Sequence, residues 1–125
     1  WSSDVCSSDL GSIAGQQTYP NGAVYCASKF AVDAITKSLR QDLVATPIRV
    51  STVDPGLAET EFSLVRYRGD AEKAKAPYKG IRPLSGEDIA ESVLFAAMAP
   101  AHVNVAQIVL MPQGQAGGLS IHRKE

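Results

Sequence analysis

A helical pattern over residues 23–44, followed after Pro47 by the β-branched run Ile48-Arg49-Val50-Ser51-Thr52-Val53, restricts the chain to folds in which a long helix returns to a buried strand. Ala27, Phe30, Ala31, Ala34, Ile35, Ser38 and Leu39 recur at spacings of three and four, while Lys37, Arg40, Gln41 and Asp42 mark a wetter side. At 1.5 Å per residue the helix predicted there is about 30 Å long. Apolar residues on more than one side give it more than one neighbour, and the small residues Ala27, Ser28 and Ala31 suit either a sheet or a second helix. A short helix, a loop and a polar surface helix are expected between Glu61 and Lys79, ending near Pro77. Ser85-Gly86-Glu87-Asp88 opens another helix with a cap residue and early acids, carried on by Ile89, Ala90, Val93, Leu94, Ala97 and Met98 until Pro100 stops it. Residues 103–111 read as the last strand, and everything after them, with Gly114, Gly117, Gly118 and His122, reads as a tail. Alternating helices and buried strands predict an α/β fold with a parallel sheet.

Three residues near the start of the long helix carry candidate chemistry. Tyr25 and Lys29 lie one helical turn apart, so a phenol and an ammonium face the same way. The ammonium offsets the charge of a phenolate, which suits general acid–base work on an alcohol or ketone. Ser12, in the preceding strand-to-loop segment Gly11-Ser12-Ile13-Ala14-Gly15, offers a hydroxyl to the same substrate oxygen. Alone, the pair is also what an exposed tyrosine beside a solvated lysine looks like. The strand at 48–53 delivers Asp54-Pro55-Gly56 at its C-terminal end, where open α/β sheets bind ligands. Gly56 permits close backbone approach, Pro55 stiffens the turn and Thr60 can bond a carboxamide or phosphate, although the segment is equally an ordinary strand-end turn. Arg66 and Arg68 are either paired donors for a substrate carboxylate or solvated surface arginines.

Gly-Ser-Ile-Ala-Gly, Tyr25-Cys26-Ala27-Ser28-Lys29 and Asp54-Pro55-Gly56-Leu57-Ala58-Glu59-Thr60 occur in the order and at the separations of the short-chain dehydrogenases/reductases, which the chain resembles over nearly all of residues 11–125. The resemblance implies the C-terminal half of a Rossmann-type, doubly wound parallel sheet. Ser12, Tyr25 and Lys29 would be the catalytic serine, tyrosine and lysine. Tyr25, Lys29, Pro55, Gly56, Leu57, Ala58 and Thr60 would contact a nicotinamide cofactor, and Ser12, Tyr25 and Arg66 the substrate. Val53 to Ser63, Val65 to Asp70 and Pro100 to Val105 are similar to the NADP-dependent 3-hydroxy acid dehydrogenases. That likeness implies oxidation of a small hydroxy acid such as serine or allo-threonine. It also implies a homodimer or homotetramer through the 24–44 helix. The cofactor is expected to be NADP, with NAD left open, because no Gly-x-x-x-Gly-x-Gly turn and no upstream family asparagine precede Ser12. Three alternatives stand beside this reading: a catalytically silent subunit-interaction module, a family member acting on another alcohol or ketone, and an epimerase or dehydratase, whose larger C-terminal substrate domain finds no counterpart here.

Charge and cysteine usage set the outer bounds. Twelve basic and thirteen acidic residues leave a formal charge of −1, so neither nucleic acid nor an anionic membrane surface is an expected partner. No apolar run reaches the roughly 18 residues of a membrane span, and a cytoplasmic protein is expected. Cys6 and Cys26 have no metal-ligand spacing, His102 and His122 have no obvious partner, and no metal site is expected. Residues 1–10 show no helical or strand period, and all ten match the in-frame translation of a sequencing-library adapter. Natural sequence is therefore expected to begin at Gly11, with residues 11–125 forming the catalytic half of one domain. Such a half leaves sheet edges uncovered and is not expected to be stable as a monomer.

Overall fold

The computed structural model describes residues 6–125, with side chains from Asp9 onward; the rest of the 1–10 expectation lies outside the described residues. Three strands, β1 (Cys6–Leu10), β2 (Arg49–Pro55) and β3 (Gln107–Leu110), form a parallel sheet in that order. Leu10 is in register with Val53, and Pro55 with Leu110, so β2 is the central strand. Helix α1 (Ala23–Asp42) connects β1 to β2. Helices α2 (Glu61–Arg66), α3 (Ala71–Lys75) and α4 (Gly86–Ala97) lie between β2 and β3. Every residue from Arg49 to Asp54 is buried, as expected of a strand covered on both faces. On one face the Arg49 guanidinium donates to the carbonyls of Ala97, Ala99 and Val103 at the end of α4. On the other, Asp54 accepts from Gln16 beside α1 and from Gln107 of β3. This is the α/β, doubly wound arrangement expected from the sequence.

Several expectations need correcting. The segment 6–10, read as lacking a strand period, is a strand, because ladder bonds use backbone groups alone and β2 offers a template for them. The central strand runs two residues further than 48–53 predicts, since Asp54 and Pro55 pair with β3. The last strand is shorter than 103–111, because Val103 turns back on Pro100 and gives its carbonyl to Arg49. Residues 112–124 are not a tail. Gln115 is buried and bridges to Ile121, Gly118 N–H donates to Gln17, and Lys124 N–H donates to the Gly80 carbonyl.

The long helix is where predicted, but its faces are exchanged. The residues that mark the period, Ala27, Phe30, Ala31, Ala34, Ile35 and Ser38, point outward, and the buried side carries Cys26 and Thr36 with half-buried Val32 and Leu39. Thr36 is kept there by bonds to Asp9 and to the Val32 carbonyl. Arg40, assigned to the wet side, instead reaches inward to the carbonyls of Val50 and Ala106. The small residues Ala27, Ser28 and Ala31 are thus not used against the sheet. None of the described helices is long and apolar enough to cross a membrane.

Candidate active site

Ser12 follows β1 after one intervening residue, Gly11, and caps a 3₁₀ turn at Ile13–Gly15, its hydroxyl accepting from Ala14 N–H at 3.1 Å. That turn lies hard against α1. A Cβ on Gly15 would sit 2.8 Å from the Lys29 carbonyl oxygen, so only glycine lets the serine loop approach the helix this closely. Tyr25 occupies the first turn of α1 and is half-buried. Lys29 places Nζ 5.9 Å from the centre of the Tyr25 ring and donates to the Leu10 carbonyl at 3.1 Å. The free thiol of Cys26 is buried beneath.

Helix α2 closes the opposite side. Thr60 caps it, its hydroxyl oxygen accepting from Phe62 N–H, and Phe62 and Arg66 follow one turn apart. The Phe62 ring centre is 5.5 Å from that of Tyr25. Arg66 Cζ lies 5.8 Å from the Tyr25 ring centre and 5.9 Å from that of Tyr67, and Nη1 donates to Tyr19 Oη at 3.4 Å. The Tyr19 hydrogen bond raises the guanidinium above its ordinary value, burial opposes it, and the Tyr19, Tyr67 and Tyr25 phenols add to the rise. Arg66 is therefore a fixed positive charge.

These groups line one cavity of about 650 Å³. Ser12, Tyr25, Pro55, Gly56, Leu57, Ala58, Thr60 and Arg66 all face it. Lys29 is not on its wall; its ammonium lies over the Tyr25 ring. Arg68 is not on the wall either; it is exposed in a turn at positive φ. A larger hollow of about 1090 Å³ between α4, β3 and the C-terminal segment contains none of the predicted site residues.

The sequence did not reveal how the loop after β2 is held. Gln115 Oε1 accepts Leu57 N–H at 2.8 Å and occupies the space where a Cβ of Gly56 would be. Tyr78 Oη donates to the Ala58 carbonyl at 2.9 Å and so accepts from Ser63 Oγ. The Gly56 and Leu57 N–H groups and the Ala58 carbonyl are thus engaged by protein, and all three residues lie with Thr60 on the cavity wall. The available signal was the cluster Gly114, Gly117, Gly118, which lets a segment fold back on itself, but glycine clusters equally mark loose ends.

The family described as short chain dehydrogenase matches residues 9–69. The NADP-dependent 3-hydroxy acid dehydrogenase of Schizosaccharomyces pombe is 45% identical over 117 residues, covering 94% of this chain and 45% of that protein. Sulfoacetaldehyde reductase 2 of Chromohalobacter salexigens is 50% identical over 108 residues, covering 86% of this chain and 43% of that protein. Among solved structures, the closed form of a serine dehydrogenase complexed with NADP+ superposes with a TM-score of 0.87 at 40% identity, covering 95% of this chain and 49% of that one. The chain spans about half the length of the curated relatives it matches.

Proposed function

The chain belongs to the short-chain dehydrogenase/reductase family, and from that premise we propose that its residues serve an NADP-dependent oxidoreductase acting on the 3-hydroxyl carbon of a small hydroxy acid, in the class that includes serine and allo-threonine. The observation that carries the reading is a single cavity lined by Ser12, Tyr25 and Arg66, with the Lys29 ammonium over the phenol ring. The 3-hydroxy acid dehydrogenase and the NADP-bound serine dehydrogenase to which the chain is similar support the same substrate class and cofactor.

In this mechanism Tyr25, as phenolate, takes the proton of the substrate hydroxyl. Lys29 offsets the phenolate charge, and the Ser12 hydroxyl donates to the substrate oxygen as charge develops there. Arg66 holds the carboxylate by charge-assisted hydrogen bonds. NADP, when bound, supplies the hydride acceptor. The donor chemistry fits its nicotinamide end: the Thr60 hydroxyl and the Ala58 backbone line the cavity beyond β2, and Tyr25 and Lys29 adjoin it. Pro55, Gly56 and Leu57 would shape that end through their backbone, Leu57 with its N–H already committed to Gln115.

The outward apolar face of α1 supports pairing with a second copy, as a homodimer or homotetramer of a cytoplasmic enzyme. We also propose that residues 1–10 are adapter-derived and that residues 11–125 form the catalytic half of one domain. Sequencing the genomic DNA upstream of codon 11 tests this, and a native reading frame encoding those ten residues contradicts it. The function is tested by following NADP reduction by the full-length enzyme with a panel of alcohols. Short 3-hydroxy acids are expected to turn over and uncharged alcohols of equal length to turn over poorly. Equal or better use of uncharged alcohols would favour another family substrate.

A further inference from the structure

Gln115 is only 6% exposed, although it lies in the C-terminal segment beyond the last strand. Both ends of its carboxamide are used: Oε1 accepts Leu57 N–H at 2.8 Å, and Nε2 donates to the Gly117 carbonyl at 3.0 Å. A carboxamide offers an acceptor and a donor side by side without charge, so these two partners fix which way round it lies. Oε1 stands 2.3 Å from where a Cβ on Gly56 would be, so the glycine at the end of the central strand makes room for Gln115 itself. The segment that carries Gln115 is tied down in turn. Gly118 N–H donates at 2.6 Å to Oε1 of Gln17, just past the turn that Ser12 caps, and Lys124 N–H donates at 2.8 Å to the Gly80 carbonyl. Gln17, Gly56, Leu57, Gln115 and Gly118 all line the cavity, so one short segment braces both its serine side and its strand-end side.

We infer that Gln115 is a positioning residue: it sets the backbone of Gly56 and Leu57 at the nicotinamide end of the cofactor, and the bond from Gly118 to Gln17 sets where Gln115 stands. This role rests on the NADP-dependent reading above and deepens it. Without Gln115 the Leu57 N–H loses its acceptor, and the backbone there turns to find another. Such a turn moves one wall of the cavity, and hydride transfer is sensitive to displacements of an ångström or less. The adenine and 2′-phosphate of NADP stand at the opposite end of that molecule from its nicotinamide, so a change confined to this loop is felt at one end alone.

The test is fluorescence titration of full-length Gln115→Met, which keeps the volume and removes the carboxamide, with NADP and with adenosine 2′,5′-bisphosphate, which lacks the nicotinamide. NADP should bind about tenfold more weakly and the bisphosphate as in the wild type. At saturating NADP, kcat for a 3-hydroxy acid should fall roughly ten- to hundredfold with little change in substrate KM. Gln113→Met, the same exchange at an exposed position two residues away, should leave all of these at wild-type values. Unchanged NADP affinity in Gln115→Met, or equal weakening of both ligands, overturns this inference alone. If Gln115→Met does not fold, the exposed change Gln17→Ala decides, because it frees the Gly118 N–H without touching the bonds of Gln115. It should weaken NADP about threefold and leave the bisphosphate unaffected; unchanged NADP affinity overturns the inference. Wild-type enzyme that does not bind NADP overturns the NADP reading and this inference with it.

Discussion

Arg66 shows what a single residue can be asked to do here. Its side chain is exposed, its guanidinium lies against two phenol rings and bonds a third phenol at 3.4 Å, and its charge is present at any working pH. A carboxylate bound there gains a charge-assisted hydrogen bond, typically about 1.5–3 kcal/mol. Arg66→Gln should therefore raise KM for hydroxy acids roughly ten- to hundredfold and leave kcat much less affected. Steady-state kinetics on the full-length variant check this, and an unchanged KM removes Arg66 from substrate binding. Ser12, Tyr25 and Lys29 were legible in the sequence because two of them share a helical spacing and all three sit in recognisable short motifs. Gln115, Arg40 and Arg49 were not. Each acts by donating to or accepting from backbone far along the chain, and such bonds leave no local period to read.

Helix α4 is held at both ends by polar groups. At its start the Ser85 hydroxyl accepts from Asp88 N–H at 3.2 Å while the Asp88 carboxylate accepts from Ser85 N–H at 2.8 Å. The Ser85 backbone N–H, then its hydroxyl, hold the Asp88 carboxyl below the usual carboxylate range. A depressed folded value means that stabilisation is complete above the unfolded value, about 3.9, and is lost as pH falls through the folded one. Helicity followed by circular dichroism should thus carry an acid-side loss that Asp88→Asn removes; an identical acid profile in the variant would contradict the assignment. At the other end Arg49 donates to four carbonyls at or beyond the last turn, where positive charge is also favoured by the helix dipole. Arg49→Met should cost about 2–4 kcal/mol in denaturant unfolding, because the buried Ala96 carbonyl and three part-buried ones lose their donor. The period of α1 gave its type correctly and overran its C-terminal end, at Asp42, by two residues. It did not say which stripe faces the sheet, because Thr36 and Arg40 satisfy their polar groups inside and so look out of place on a buried face.

Across the whole molecule, apolar surface remains uncovered in specific places. Val24 is 86% exposed and Ile35 64% exposed on α1, and Leu94 and Phe95 are 60% and 66% exposed on α4. Burying a side chain of this size contributes about 1.5–3 kcal/mol, so a paired α1 face has the means to drive association. Ile35→Asp in the full-length enzyme should lower the oligomeric state seen by light scattering, and an unchanged mass would place the interface elsewhere. The sheet's topology and the loop at its C-terminal end were legible because helix and strand patterns alternate and Pro55-Gly56 ends the central strand. The return of residues 112–124 over that loop depends on contacts between distant segments and was not. The proposed reaction turns on a phenol that moves a proton. The most direct test is turnover of a 3-hydroxy acid by full-length Tyr25→Phe with NADP binding verified: kcat should fall about 10²–10⁴-fold while the cofactor still binds, and turnover at the wild-type rate would contradict the account.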